Sequence, residues 1–115
     1  WMEGGAGADR YVYTAITDAS PTDPNGNRDG ISGFSSAEGD IIDLSAIDAD
    51  GDAANGDTAF TIVTGGFNGA GAELLIMRVS PSHLQIRLDV DGDSHTDFLA
   101  HVFTYSALTA AEFVL

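Results

Sequence analysis

Short hydrophobic runs recur along the chain and are separated by segments rich in glycine, aspartate and serine. In residues 83–90, the apolar Leu84, Ile86, Leu88 and Val90 alternate with polar neighbours. This alternation is typical of a β-strand with one buried face. Runs that are brief and rich in β-branched or aromatic residues also predict strands. The predicted strands are Arg10–Ala15, Ile41–Leu44, Ala59–Val63, Glu73–Val79, His83–Leu88 and Phe98–Val102.

Turn-forming residues predict how these strands are connected. Pro81 lies in an SPS segment between two predicted strands and indicates an antiparallel hairpin. Residues 17–39 hold so many Gly, Asp, Asn, Ser and Pro that we expect a long loop there, ordered by itself or by a ligand. One helical turn is predicted near the end, with Thr109 as its N-cap and Glu112 as the capping-box partner. The chain is therefore predicted to be all-β.

Composition narrows the class of protein. The 115 residues are enough for one domain, and 43% hydrophobic and 9% aromatic content predicts a folded domain despite the acidity. Eighteen acidic residues against four basic ones give a net charge of −14, which disfavours nucleic acid and anionic membranes as partners and favours metal cations. The absence of cysteine excludes disulfides and thiolate metal sites.

Neither a membrane span nor an N-terminal signal peptide is predicted from the sequence. No stretch approaches the length of a membrane span, so membrane insertion is not expected. The first residues lack the basic and apolar regions of a signal peptide. If the protein is exported, we expect it not to use an N-terminal signal.

One nonapeptide carries the clearest metal-binding pattern. Residues 89–97 read DVDGDSHTD, with carboxylates at relative positions 1, 3, 5 and 9. Calcium takes about six to eight oxygen ligands, which such a loop supplies from side chains and a backbone carbonyl. The loop lacks the Gly at position 6 and the Glu at position 12 of an EF-hand, so flanking helices are not implied. The alternative is a solvated acidic turn, in which closely spaced like charges repel each other. The candidate ligands are Asp89, Asp91, Asp93 and Asp97 through their carboxylates and His95 through its carbonyl.

A second pattern lies at the start of the chain. Residues 4–12 read GGAGADRYV and fit the repeat G-G-x-G-x-D-x-U-x once. Its glycines let a turn direct carbonyls at a cation, and its aspartate adds a carboxylate. Because each calcium in such an array lies between neighbouring turns, one copy is half a site that other residues must complete. A glycine-rich linker is the alternative.

Two other acidic positions leave alternatives open. Residues 48–57, DADGDAANGD, imitate the later loop, but the fourth carboxylate falls one residue late. They are either a further calcium loop or a solvated loop between strands. Asp43 either caps a turn or binds metal.

Together these motifs resemble a known family. The chain is similar to the C-terminal repeats-in-toxin (RTX) region of serralysin-type (peptidase M10) secreted metalloproteases and related type I secretion substrates, from Gly4 to Leu115. The resemblance implies an all-β fold in which the end of a calcium-binding parallel β-roll continues into antiparallel strands. It also implies one domain over residues 1–115, with the roll end and closing segment in 1–45 and the antiparallel part in 46–115. The blocks that carry it are GGAGADRYVYTAI, RDGISGFSSAEGDIIDLSAID, GDTAFTIV, DVDGDSHTDF and LTAAEFVL.

The resemblance implies particular metal ligands. Gly5, Gly7 and Asp9 match the turn carbonyls and the carboxylate of the repeat. Asp29 and Asp40 match acidic positions in the segment that closes the last turn. The second loop of the family is matched by Asp89, Asp91, Asp93, His95 and Asp97.

The resemblance also implies a place of action. Such domains fold on extracellular calcium, belong to secreted proteins, and are joined to an upstream domain. The terminus Glu112–Leu115, acidic and then hydrophobic, matches the signal that a type I exporter reads. The same residues are also expected to form a last strand that packs onto the sheet, and the two roles are compatible.

Catalysis by this chain is not expected. The sequence contains neither an H-E-x-x-H zinc helix nor a G-x-S-x-G elbow, and its acids are clustered in glycine-rich loops suited to chelation. His83 and His101 are expected to be strand residues and not ligands. We therefore expect a non-catalytic calcium-binding module whose parent, if it is a zinc protease, carries its zinc site upstream. The alternatives are a calcium-dependent adhesin or carbohydrate-binding module, and a hydrolase.

Overall fold

The described residues of the domain form two β-sheets. The computed structural model describes residues 2–14, 29–47, 59–63, 65–105 and 107–115. Within these ranges the helical elements are two 3₁₀ turns, Ser36–Glu38 and Ala110–Glu112, and no helix is long and apolar enough to cross a membrane. The strands are β1 (Met2–Glu3), β2 (Arg10–Val12), β3 (Asp29–Ser32), β4 (Ile41–Asp43), β5 (Thr61–Val63), β6 (Glu73–Ser80), β7 (His83–Asp89), β8 (Phe98–Phe103) and β9 (Phe113–Val114).

Three pairs of strands wind into a parallel roll. In the pairs β1–β2, β3–β4 and β8–β9, the first strand lies in a six-stranded sheet and the second in a three-stranded sheet. Ile31 of β3 is paired with Met2 on one side and Val102 on the other, and Ile42 of β4 is paired with Tyr11 and Phe113. All of these pairings are parallel, so the three pairs are successive turns of one roll. The third turn consists of β8 and β9, which lie outside residues 1–45, the range predicted for the roll end.

Antiparallel strands extend the larger sheet. Its order is β1-β3-β8-β7-β6-β5, and β7 is antiparallel to both β6 and β8. The turn at Pro81 and Ser82 joins β6 to β7, which confirms the predicted hairpin. The predicted fold class, a parallel roll end that continues into antiparallel strands, is confirmed.

Each predicted strand has a counterpart within a few residues of its predicted bounds. Of the predicted loop over residues 17–39, residues 17–28 lie outside the described residues. The prediction is wrong in part for the remainder, which contains β3 and the 3₁₀ turn Ser36–Glu38. The segment Asp29–Ser32 reads DGIS and has little strand character of its own. It is extended because β1 and β8 pair with it on both sides.

The core lies between the two sheets. Leu84, Ile86 and Leu88 of β7 are buried, as the alternation predicts. From the smaller sheet and the segment after it, Tyr11 and Tyr13 belong to the same buried cluster. The Tyr13 ring meets Phe98 of β8 edge to face, with centroids 5.0 Å apart. Burying each such side chain stabilises the fold by roughly 1.5–3 kcal/mol, and this packing holds the loops at the strand ends in place.

Candidate metal centre

The loop over residues 89–97, called here the aspartate loop, connects β7 to β8. Asp89 is fully buried at the end of β7, and its two carboxylate oxygens accept hydrogen bonds from Gly92 N (2.8 Å) and Ser94 N (2.9 Å). Asp97 Oδ2 accepts a hydrogen bond from Val90 N at 2.9 Å. Gly92 takes a φ of +78°, which a side chain would disfavour. The two end carboxylates thus fold the loop back on itself.

The two middle aspartates of the loop, Asp91 and Asp93, are exposed to solvent. Asp91 Oδ1 accepts a hydrogen bond from Asp93 N (3.2 Å), and Asp93 Oδ1 accepts one from His95 N (2.8 Å). The His95 ring points to solvent, with 84% of the side chain exposed. Its Nδ1 lies 3.0 Å from the backbone oxygen of Asp93, and the role of the His95 carbonyl as a ligand stays a prediction.

Four carboxylates converge in the aspartate loop. One oxygen from each of Asp89, Asp91, Asp93 and Asp97 lies within 4.8 Å of the others. Calcium binds oxygen at about 2.3–2.6 Å, so two ligands on opposite sides of one ion are separated by about 5 Å. The four carboxylates are therefore hard oxygen donors whose spacing is compatible with one metal ion.

The electrostatics of the loop also favour a cation. Burial raises the pKa of Asp89, because it disfavours the ionised carboxylate, and the amides of Gly92 and Ser94 offset only part of this effect. By contrast, the hydrogen bond from the Asp93 amide lowers the pKa of Asp91. Two unit charges at this separation repel by about 1 kcal/mol in water and more near a protein surface. A divalent cation bound between the carboxylates would attract each of them and so offset their mutual repulsion.

The turn of the first repeat lies against the second turn of the roll. Gly5 and Gly7 both take φ values near +90°, between β1 and β2. Asp40, buried in the second turn, accepts Asp9 N on Oδ1 and Ser35 N on Oδ2, both at 2.8 Å. The structure thus brings the predicted residues Asp9 and Asp40 together.

One oxygen in this turn fits a cation or a water. Asp9 Oδ2 is buried and has no hydrogen-bond partner among the described residues. It lies so close to Gly4 that a Cβ there would come within 2.3 Å of it. Burial, followed by the charges of Asp40 and Asp9, raises the pKa of the neighbouring Tyr11 hydroxyl.

The remaining sequence predictions have different outcomes. Asp29 is the first residue of β3, at the strand end away from the turn that holds Asp40. Residues 48–57 lie outside the described residues.

Asp43 has the contacts of a turn cap. Its Oδ1 accepts hydrogen bonds from Ser45 N (2.9 Å) and Ser45 Oγ (2.6 Å), and its Oδ2 accepts one from Arg10 Nε (2.9 Å). The Ser45 hydrogen bonds, followed by Arg10, lower the pKa of Asp43 to about 2.

The fold brings two histidines together that the sequence keeps 18 residues apart. His83 Nε2 and His101 Nδ1 are 2.8 Å from each other in a hydrogen bond. Phe103 stacks on the His83 ring with centroids 4.7 Å apart. Both histidines are strand residues, as expected, and strand pairing explains their proximity.

Sequence reasoning missed Glu73. This carboxylate is 1% exposed, at the start of β6, directly opposite Asp89. Its oxygens accept hydrogen bonds from Asn68 N and Ala70 N in the glycine-rich segment before it. The sequence feature that could have indicated this residue is the run GGFNGAGA followed directly by an acid. Its position beside Asp89 follows only from the pairing of β6 with β7.

Comparison with known families identifies the domain. A family model described as Peptidase M10 serralysin C terminal matches residues 4–115. The chain belongs to this family. Serralysin-family proteins are secreted, and their C-terminal RTX domains bind calcium and are non-catalytic. No curated protein matches the chain. For this serralysin C-terminal domain, the family and the aspartate loop point to the same ion.

Proposed function

We propose that this serralysin C-terminal domain binds calcium in the aspartate loop and serves as the non-catalytic, calcium-dependent folding module of a secreted protein. The observation that carries the proposal is the convergence of four aspartate oxygens within 4.8 Å. Asp89, Asp91, Asp93 and Asp97 would bind the ion through carboxylates and His95 through its carbonyl. Because Asp89 is fully buried, its ionised carboxylate would depend most on the positive charge of the bound ion.

A second calcium is proposed at the first turn of the roll. Its ligands would be the carbonyls of Gly5 and Gly7 with Asp9, beside Asp40. The buried Asp9 Oδ2 without a hydrogen-bond partner among the described residues supports this site. Asp29 is left out of the proposed ligand set, because it begins β3 at the strand end away from this turn.

Linkage explains how calcium would act as a switch. An ion that binds only the folded state stabilises it by about 2.7 kcal/mol at a hundredfold excess over the dissociation constant. That is a large part of the stability of a small domain. In a cell with little free calcium, the crowded carboxylates would favour the loose chain that an exporter can thread. Outside the cell, calcium would favour the folded domain.

Calcium titration tests the main site. We expect calorimetry on the 115-residue chain to show binding that Asp93→Asn weakens at least about tenfold, because the variant removes one charged ligand. The control is Glu112→Gln, which also removes one negative charge but lies in the capping turn outside the aspartate loop, and it should bind as the wild type does. Equal affinity for calcium in the wild type and Asp93→Asn would contradict the site.

The terminus Glu112–Leu115 is proposed as the export signal that a type I exporter reads in the parent protein. Phe113 is buried and β9 is paired with β4, so the signal would be accessible before folding and covered afterwards. Deleting residues 113–115 from the parent protein should retain it inside the cell. Ile42→Ala is the control, since it destabilises the same roll but leaves the terminus intact and should still be exported. Secretion of the deletion variant at the wild-type level would refute this role.

A further inference from the structure

Two buried carboxylates lie opposite each other where the hairpin opens. Glu73, the first residue of β6, is paired with Asp89, the last residue of β7, and the two are 1% and 0% exposed. Directly opposed residues of an antiparallel pair have their side chains on the same face, and like charges there destabilise a sheet. An ordinary hairpin would not place two acids at this position without compensation.

Each carboxylate is compensated by the backbone of its own loop. Glu73 Oε2 accepts a hydrogen bond from Asn68 N (3.0 Å), and Glu73 Oε1 accepts one from Ala70 N (3.1 Å). Asp89 binds two amides of the aspartate loop in the same way. Glu73 therefore shapes residues 68–72, called here the glycine loop, as Asp89 shapes the aspartate loop.

The glycine loop and the aspartate loop touch through their backbones. A Cβ added to Gly71 would lie 3.2 Å from Val90 O and 3.4 Å from Gly92 N. A Cβ added to Gly92 would lie 3.0 Å from Gly69 O. Gly92 N also donates a hydrogen bond to Asp89 Oδ1. A shift of the glycine loop would therefore move Gly92, which is bonded to the buried candidate ligand Asp89.

We infer that Glu73 is a positioning residue, which holds the glycine loop against the aspartate loop and thereby sets its calcium affinity. The inference rests on the proposed calcium binding and deepens it. Glu73 is not among the four carboxylates that converge, and both of its oxygens are bound to amides. Partners that act behind the ligands of a metal site commonly change affinity by about 10- to 100-fold when they are replaced.

Calorimetry on the full chain tests this inference with calcium alone as the probe. Glu73→Gln keeps the shape of the side chain but replaces one acceptor oxygen with a donor, so one of the two amides loses its partner. We expect about 10- to 100-fold weaker calcium binding with the number of bound ions unchanged. Gly71→Ala, which alters the loop contact without changing charge, should weaken binding in the same direction. Glu112→Gln is the matched control, because it is the same substitution at a distant capping position where glutamine also functions.

A second readout separates positioning from a merely structural role. A positioning role narrows the gap between the melting temperatures measured at high and at low calcium concentration, whereas a structural role lowers both equally. If Asp93→Asn loses calcium while Glu73→Gln and Gly71→Ala bind as the wild type does, the inference is overturned and the proposed function stands. Loss of one bound ion in Glu73→Gln would make Glu73 a ligand and also overturn it. A wild-type chain that binds no calcium would overturn both.

Discussion

Aspartates of this domain differ in role because their hydrogen-bond partners differ. Asp43 and Asp89 are both buried, yet the pKa of Asp43 falls to about 2 while that of Asp89 rises. Asp43 is bound by the amide and hydroxyl of Ser45 and by the Arg10 guanidinium, which all favour the ionised form. Asp89 has only backbone amides to offset its burial. Asp43 is thus stable as an anion by itself, whereas Asp89 gains from a cation.

Asp43 leads to a prediction about pH. Its folded pKa lies below the ordinary value of 3.8, so its contribution to stability is fully present above that value and is lost as pH falls toward about 2. Asp43→Asn should lower the free energy of unfolding by about 1.5–3 kcal/mol near pH 6, the range for hydrogen bonds to charged groups. The difference from the wild type should shrink between pH 4 and about pH 2, as measured by urea denaturation.

Ser45→Ala is the control for this prediction. It removes the hydroxyl that contributes most to the lowered pKa of Asp43, so the same pH-dependent loss should be smaller in that background. A difference between Asp43→Asn and the wild type that stays constant over this pH range would contradict the assignment.

At the level of elements, a capping box controls how the chain enters its last strand. Thr109 Oγ1 accepts a hydrogen bond from Ala111 N, and Glu112 Oε2 accepts one from Thr109 N at 2.7 Å. The short 3₁₀ turn then leads directly into β9, which pairs with β4. The cap therefore positions the strand that completes the smaller sheet.

Removing the cap should loosen this strand. Thr109→Ala leaves an amide of the turn without its acceptor, and we expect a loss of about 0.5–2 kcal/mol in the free energy of unfolding. Thr109→Ser keeps the hydroxyl and should retain most of the stability. Chemical denaturation in saturating calcium measures both, and equal stability of the alanine variant and the wild type would refute the role of the cap.

Over the whole molecule, the roll closes only when its last residues arrive. The third turn, β8 and β9, stacks on β3 and β4, and Ile31 pairs with Val102 across a long stretch of sequence. Closing so long a loop costs conformational entropy before any contact is gained. The aspartate loop leads directly into β8, so an ion bound there would order the chain just before the closing turn.

This arrangement predicts that calcium and the terminus stabilise the same folded state. Phe113 is buried in the common core, and Phe113→Ala should cost about 3–5 kcal/mol. We expect circular dichroism during a calcium titration to show that this variant needs a higher calcium concentration than the wild type to gain its β-structure. The partly exposed Val114→Ala is the control and should behave as the wild type does. Equal calcium midpoints for Phe113→Ala and the wild type would contradict the prediction.

The residues within reach of one another along the chain were predictable. The alternation of Leu84, Ile86 and Leu88 determines a strand with one buried face, because side chains of a strand point to opposite sides in turn. The aspartates of the aspartate loop lie within nine residues, so their spacing alone determines that they can converge. The capping box of Thr109 and Glu112 is equally local.

Only the tertiary structure decided the features made by distant residues. Asp29–Ser32 became a strand through pairing with β1 and β8, and His83 met His101 through the pairing of β7 with β8. Glu73 became part of the candidate site because the hairpin register sets it opposite Asp89. The sequence by itself thus determined the strands, the aspartate loop and the cap, since these depend on neighbours along the chain. The order of strands in the sheets and the surroundings of the aspartate loop depend on contacts across the fold, which no local pattern specifies.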